Sequence, residues 1–73
     1  MSAPNPSSTV AGLRSMRNRR GLTIGALGKL VGCSGAHISQ IERGVRSPSL
    51  VILTSIQRVL ECSLADLMGP RNE

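Results

Sequence analysis

The stretch from Thr23 to Gly44 constrains this chain more than any other. Leu27 and Val31 lie one helical turn apart on one side of Gly32, and Ile38 and Ile41 lie a turn apart on the other. Each side therefore carries a narrow apolar stripe at helical spacing. Gly32 sits at the join, where the chain has to reverse within a few residues, with Cys33 completing the turn. Gly28 follows Leu27, where two helices crossing steeply have their backbones closest. Two short helices joined by a tight turn satisfy all of these features together.

Seventy-three residues allow one domain and one small core, which needs tight helix packing or a partner. There is no Phe, Trp or Tyr, so Leu, Ile, Val, Met and Ala must fill that core. The same absence argues against modules that stack single-stranded bases on aromatic rings. The net charge of +5 favours a polyanion, DNA or RNA above all. The blander reading is that this charge only keeps a small domain soluble. Cys33 and Cys62 form no CxxC pair and there is a single His, so one chain cannot supply four zinc ligands. We read both as reduced thiols filling apolar space in a reducing cytosol, which implies a cytoplasmic protein. No apolar run approaches transmembrane length, and no signal pattern opens the chain.

Residues 1–8 hold two prolines and no periodicity and read as a disordered tail. Residues 9–69 read as the folded domain. Ser8 or Thr9 is the expected cap of a first helix from Val10 to about Arg20, with Val10, Leu13 and Met16 inward and Gly21 as its stop. Thr23 caps a second helix, Ile24 to Val31, with Leu27, Leu30 and Val31 inward. Ser34 caps a third, Gly35 to about Arg43, ended by Gly44. Ser49 caps a fourth, Leu50 to Leu60, with a stripe of Leu50, Leu53, Ile56 and Leu60. Ser63 caps a short fifth, Leu64 to Met68, stopped at Gly69-Pro70, and residues 70–73 read as a frayed end. No strand pattern appears.

Residues 10 to 68 resemble the phage-repressor-like (XRE, or Cro and repressor type) helix-turn-helix family. The matching pieces are Leu13-Arg-Ser-Met-Arg17, Arg20-Gly-Leu-Thr23, Gly32-Cys-Ser34, Ile38-Ser-Gln-Ile-Glu-Arg-Gly44, Arg46-Ser-Pro-Ser-Leu50 and Cys62-Ser-Leu64. They fall in family order with family-like spacing. The resemblance implies an all-α, compact five-helix, lambda-repressor-like DNA-binding domain whose third helix lies in the major groove. It also implies that Arg17 pairs with Glu42 and locks the recognition helix against the first helix, as a two-pronged Arg–carboxylate pair can. The chain departs from the family in four places. Ile24 stands where a phosphate-contacting Gln is common, leaving the backbone N–H groups of that helix start, after Thr23, for phosphate. Gly35 and Ala36 occupy the usual base-reading positions. Cys33 and Cys62 replace Val, which favours apolar filling over a redox sensor. Val51 and Ile52 replace polar residues.

Base reading needs groups that project from the third helix away from Ile38 and Ile41. The candidates are Gln40, Ser39, His37, Ala36 and Ser34, with Gln40 best suited because Gln can bond adenine N6 and N7 together. A lone His with no acid or Cys near it in sequence is not a catalytic or metal residue. The phosphate candidates are Arg43, Arg46, Ser47, Lys29, Arg19 and Arg20, while Arg14, Arg58 and Arg71 read as a solvated face. One such domain reads only a few base pairs. A homodimer on twofold half-sites about 34 Å apart is the usual remedy, with Val51, Ile52, Ser55, Val59 and Met68 as its possible surface.

The expected function is a sequence-specific double-stranded DNA-binding transcriptional regulator, without cofactor, metal or small-molecule ligand. An interaction module that keeps the fold but not specific reading is the alternative, motivated by Ile24, Gly35, Ala36 and Val51-Ile52. A membrane-surface peptide is disfavoured by the breaks at Gly21, Gly32, Gly44 and Pro48. No acid–base pair, nucleophile constellation or phosphate loop suggests an enzyme.

Overall fold

The computed structural model describes residues 10–69. Its helices are α1 (Leu13–Arg19), α2 (Ile24–Val31), α3 (Gly35–Glu42), α4 (Leu50–Leu60) and α5 (Leu64–Met68). Four hydroxyl side chains start four of them. Thr23 Oγ1 accepts from the Ala26 N–H at 3.0 Å, and Ser34 Oγ from the His37 N–H at 3.0 Å. Ser49 Oγ accepts from Ile52 at 3.2 Å, and Ser63 Oγ from Asp66 at 3.1 Å. Asp66 Oδ2 in turn accepts from the Ser63 N–H, which completes a capping box. Each cap satisfies an N–H the helix leaves open and is worth about 1 kcal/mol.

The first helix begins later than its apolar spacing suggests. Gly12 occupies its N-cap position with no side-chain cap. The Gly12 N–H donates to the Leu67 carbonyl at 2.7 Å, so residues 10–12 dock onto α5 before α1 starts. A Cβ on Gly12 would land on the Asp66 carbonyl oxygen. The expected caps Ser8 and Thr9, the tail 1–8 and the end 70–73 lie outside the described residues.

Helix ends are set by left-handed residues. Gly21, Gly32 and Gly44 have φ of 69°, 86° and 76°. Behind each, an N–H reaches back six residues inclusive: Leu22 to Arg17, Cys33 to Gly28, and Val45 to Gln40. That pattern closes a helix by a Schellman turn, which glycine makes without Cβ strain. The end of α4 does the same with Glu61 at φ 52°, and Cys62 N–H bonds the Gln57 carbonyl. Arg20 holds this non-glycine turn. Its Nε donates to the Leu60 carbonyl at 3.0 Å, and its Nη2 donates to Glu61 Oε1 at 3.1 Å.

The core takes residues from every helix: Leu13, Leu27, Val31, Ile38, Ile41, Ile56, Leu60 and Leu67, with Val10 ahead of α1. The expected stripes on α2 and α4 need correction. Leu30 is 58% exposed and Leu50 78% exposed. On α2 the buried arc runs through Ile24, Leu27, Gly28 and Val31, and at about 100° per residue Leu30 falls outside it. On α4 the arc runs through Ile52, Leu53, Ile56, Val59 and Leu60, so Leu50 turns to solvent. Ile52 and Val59, expected as dimer surface, therefore pack against the core. On α5 only Leu67 is fully buried, with Leu64 and Met68 exposed.

Gly28 and Gly25, both on α2, separate packing from propensity. A Cβ on Gly28 would sit 2.7 Å from the Cys33 carbonyl oxygen and 2.9 Å from the Ser34 carbonyl carbon. A Cβ on Gly25 would meet nothing within 4 Å. Gly28→Ala should thus destabilise by about 1–3 kcal/mol through forced backbone movement. Gly25→Ala should stabilise by up to about 1 kcal/mol through helix propensity. Urea unfolding of both variants checks this, and equal signs would contradict the packing argument.

Candidate nucleic-acid interface

α2 and α3 cross at their N-terminal ends, and the crossing decides which α3 residues can point outward. Gly35 opens α3 against α2: a Cβ there would lie 3.3 Å from Gly25 Cα and 3.5 Å from Ile24 Cγ2. This position is a packing contact and presents no side chain. Ile24 is half-buried against the core. The N–H groups of Ile24 and Gly25, just after the Thr23 cap, precede the first intrahelical bond of α2.

With Ile38 and Ile41 buried, the 3.6-residue period turns Ala36, Gln40 and Arg43 to the opposite side of α3. Ser39 and His37 flank that stripe and are half-buried, while Ala36 and Arg43 are exposed. The Ser34 oxygen is occupied as the cap of α3. Arg43 Nε bends back to the Ser39 carbonyl at 3.4 Å. Past Gly44, the Arg46 Nε donates to Gln40 Oε1 at 2.9 Å. The structure thus brings Ala36, Ser39, Gln40, Arg43 and Arg46 together on one face. Ser47 is exposed in the α3–α4 loop, and Lys29 is exposed on α2. Arg19 and Arg20 belong to another group: they line a cleft with Met16, Leu60, Glu61, Cys62 and Asp66, where Arg20 closes α4.

The acidic residue of α3 is turned inward. Arg17 Nε donates to Glu42 Oε2 at 2.6 Å and its Nη2 to Glu42 Oε1 at 3.3 Å. Its Nη1 donates to the Leu22 carbonyl at 2.8 Å. The two side chains are 10% and 2% exposed. Arg14, expected on a solvated face, is exposed but stands 3.6 Å from Glu42 Oε1 and joins the cluster. Among the described residues the other carboxylates are also engaged, Glu61 with Arg20 and Asp66 in the α5 cap. No ion pair among the described residues engages Arg19, Lys29, Arg43, Arg46 or Arg58. The outward face of α3 is therefore cationic without a competing carboxylate.

Gly12 and Gly35 as contact points, and Arg46 as the partner of Gln40, were missed by sequence reasoning. The first two depend on tertiary neighbours. The third had a local signal, since a Schellman turn at Gly44 brings the following residues back over Gln40.

Cys33 and Cys62 are half-buried and unpaired. Burial pushes the Cys33 thiol up. Burial pushes the Cys62 thiol up as well, aided by the Asp66 carboxylate and partly offset by Arg20. Among the described residues no three His, Cys, Asp or Glu side chains are grouped to hold a metal ion. No helix there is long and apolar enough to cross a membrane.

Two outcomes test these environments. Arg17→Ala strands the Glu42 carboxylate in a buried site and should cost about 3 kcal/mol of unfolding free energy, measured in urea. A loss below about 1 kcal/mol would mean an exposed, screened pair. Both thiols should alkylate near pH 7 more slowly than a small-molecule thiol and accelerate only above the ordinary cysteine range. A rate matching free thiol at pH 7 would contradict their burial.

Comparison with known proteins agrees with this architecture. A helix-turn-helix family profile matches residues 13–67. The crystal structure of the clp gene regulator ClgR from Corynebacterium glutamicum is similar, with a TM-score of 0.78 and 32% identity over 89% of this chain and 72% of that chain. A second crystal structure of ClgR from C. glutamicum gives a TM-score of 0.74 and 29% identity over 93% of this chain and 87% of that one. No curated protein matches the chain. The order of its helices, the crossing of α2 and α3 and the span of the match place this chain in the phage-repressor-like helix-turn-helix family.

Proposed function

We propose that this protein is a sequence-specific, double-stranded DNA-binding transcriptional regulator that sets α3 into the major groove. The carrying observation is the outward face of α3. It offers Gln40 and Ser39 between exposed cations, while its one carboxylate is withdrawn onto Arg17. A groove lined by phosphates on both rims accepts such a face and repels one that carries a free Glu. Similarity to ClgR, described as a gene regulator, supports regulation as the outcome of binding.

In this reading Gln40 and Ser39 meet base edges, His37 lies at the side of the helix, and Ala36 meets a thymine methyl. Ser34, whose oxygen already accepts from the His37 N–H, contributes its hydroxyl hydrogen. Arg43, Arg46, Ser47 and Lys29 serve the phosphates, together with the N–H groups at the start of α2 after Thr23 and Ile24. Arg19 and Arg20 add long-range attraction, because Arg20 is committed to the end of α4.

A twofold homodimer on DNA accounts for Val51, which is 73% exposed beside Leu50. Ser55, one turn after Val51, and Met68 extend the candidate surface. The reading involves no catalysis, no cofactor and no small-molecule ligand, and it places the protein in the cytoplasm with its DNA. The second reading, an interaction module of the same fold without base discrimination, rests on the exposure of Leu50 and Val51.

Selection of bound duplexes from a random pool, followed by anisotropy titrations at several salt concentrations, tests this. Selected sites should show dyad symmetry. Affinity should fall steeply with salt, and Arg43→Ala should flatten the log–log slope by about 0.9 while weakening binding to every duplex. Failure to bind any duplex at low salt would leave the interaction module as the better account.

A further inference from the structure

Gln40 and Arg46 form one unit, and its chemistry bears on which base it reads. The turn at Gly44 folds the chain back so that both the Val45 and Arg46 N–H groups donate to the Gln40 carbonyl, at 2.9 and 3.2 Å. The same fold-back lets Arg46 Nε donate to Gln40 Oε1 at 2.9 Å. A guanidinium has five N–H donors and no acceptor. Only the amide oxygen can therefore face it, and the orientation of the Gln40 amide is settled by chemistry. The Gln40 Nε2 group, with its two N–H donors, is left as the free end of the amide.

We propose that Arg46 sets the base preference of Gln40 by holding its amide oxygen, so that the pair meets the groove with an excess of donors and a positive charge and selects guanine over adenine. The inference rests on α3 lying in the major groove, as above. An unrestrained Gln reads adenine with both ends of its amide, accepting from N6–H₂ and donating to N7. Here the accepting end is bonded to a cation. The oxygen keeps a second lone pair, but an adenine N6–H₂ brought to it would share the oxygen with the guanidinium and face its positive charge. A guanine edge offers N7 and O6, two acceptors, which match the free amide donors and the neighbouring guanidinium. Thymine offers one acceptor and ranks below guanine. Arg46 then acts as a positioning residue as well as a cation for the backbone, and it couples phosphate anchoring to base choice.

The test uses a selected duplex and its substitutions at the base pair whose identity ceases to matter in Gln40→Ala. The wild-type chain should bind guanine there at least about fivefold more tightly than adenine. Arg46→Ala frees the amide oxygen and should turn that preference toward adenine. Arg43→Ala, which removes a cation but leaves the pair intact, should weaken all four duplexes and keep their order. Circular dichroism of Arg46→Ala should match wild type, since its side chain is exposed. If Arg46→Ala weakens all four equally and keeps guanine first, or if the wild-type chain prefers adenine, the proposal fails while DNA reading by α3 stands. If no duplex binds at low salt, both fail.

Discussion

The contact between Arg17 and Glu42 governs this structure. It joins the last residue of α3 to the middle of α1, and through the Leu22 carbonyl it also fixes the corner where α2 begins. Three elements that the sequence keeps apart thus share one guanidinium. A buried ion pair is costly to desolvate, and the expense is offset only by good geometry and full hydrogen bonding. Both conditions are met: the carboxylate is engaged by two Arg17 nitrogens, and Arg14 adds a second cation nearby. The pair also has a functional side. A free glutamate at the end of α3 would stand beside Arg43 and weaken the positive potential a phosphate backbone seeks. Drawn inward, it leaves the outer face of the helix to amide, hydroxyl and guanidinium groups.

Around that contact the fold is assembled from short helices, each too short to persist alone. Their ends are therefore as consequential as their middles. Hydroxyl caps start α2 to α5, and left-handed residues close α1 to α4. With four reversals in so few residues, the core cannot be one long stripe and is instead gathered one or two residues at a time from each helix. This explains how a chain without aromatic residues fills its interior, since aliphatic side chains from several directions interdigitate at close range. It also explains the tight glycine contacts, because helices of two or three turns must approach closely to share so small a core.

What the sequence made legible was local. Thr23, Ser34, Ser49 and Ser63 were readable as caps because cap chemistry needs only the next three residues. Gly21, Gly32 and Gly44 were readable as stops for the same reason. Less legible was rotation about a helix axis. Leu50, Leu53, Ile56 and Leu60 fit a helical period as well as the true set does, and only neighbouring helices decide that Leu50 turns outward while Ile52 and Val59 join the other three inside. Leu30 fails likewise, since three apolar residues on a two-turn helix do not define one arc. Glu61 in a left-handed turn was unreadable, because the residue that holds it, Arg20, lies far away in sequence.

The lean reading surface has a structural cause. Gly35 stands where a base-reading side chain would be expected, and a Cβ there would sit tightly against Gly25 and Ile24. Close crossing of α2 and α3 leaves little room for a side chain at that position. In the proposed reading, discrimination shifts along the helix toward Ser39 and Gln40, and past its end to Arg46. Those positions lie near the Gly44 turn, where the backbone is hydrogen-bonded back onto Gln40 and side chains hold one another in place. A reader assembled there gives up the reach of two adjacent side chains at the helix start. In exchange, on the proposed docking, its one amide would arrive at the groove already oriented, and less conformational freedom would be lost on binding.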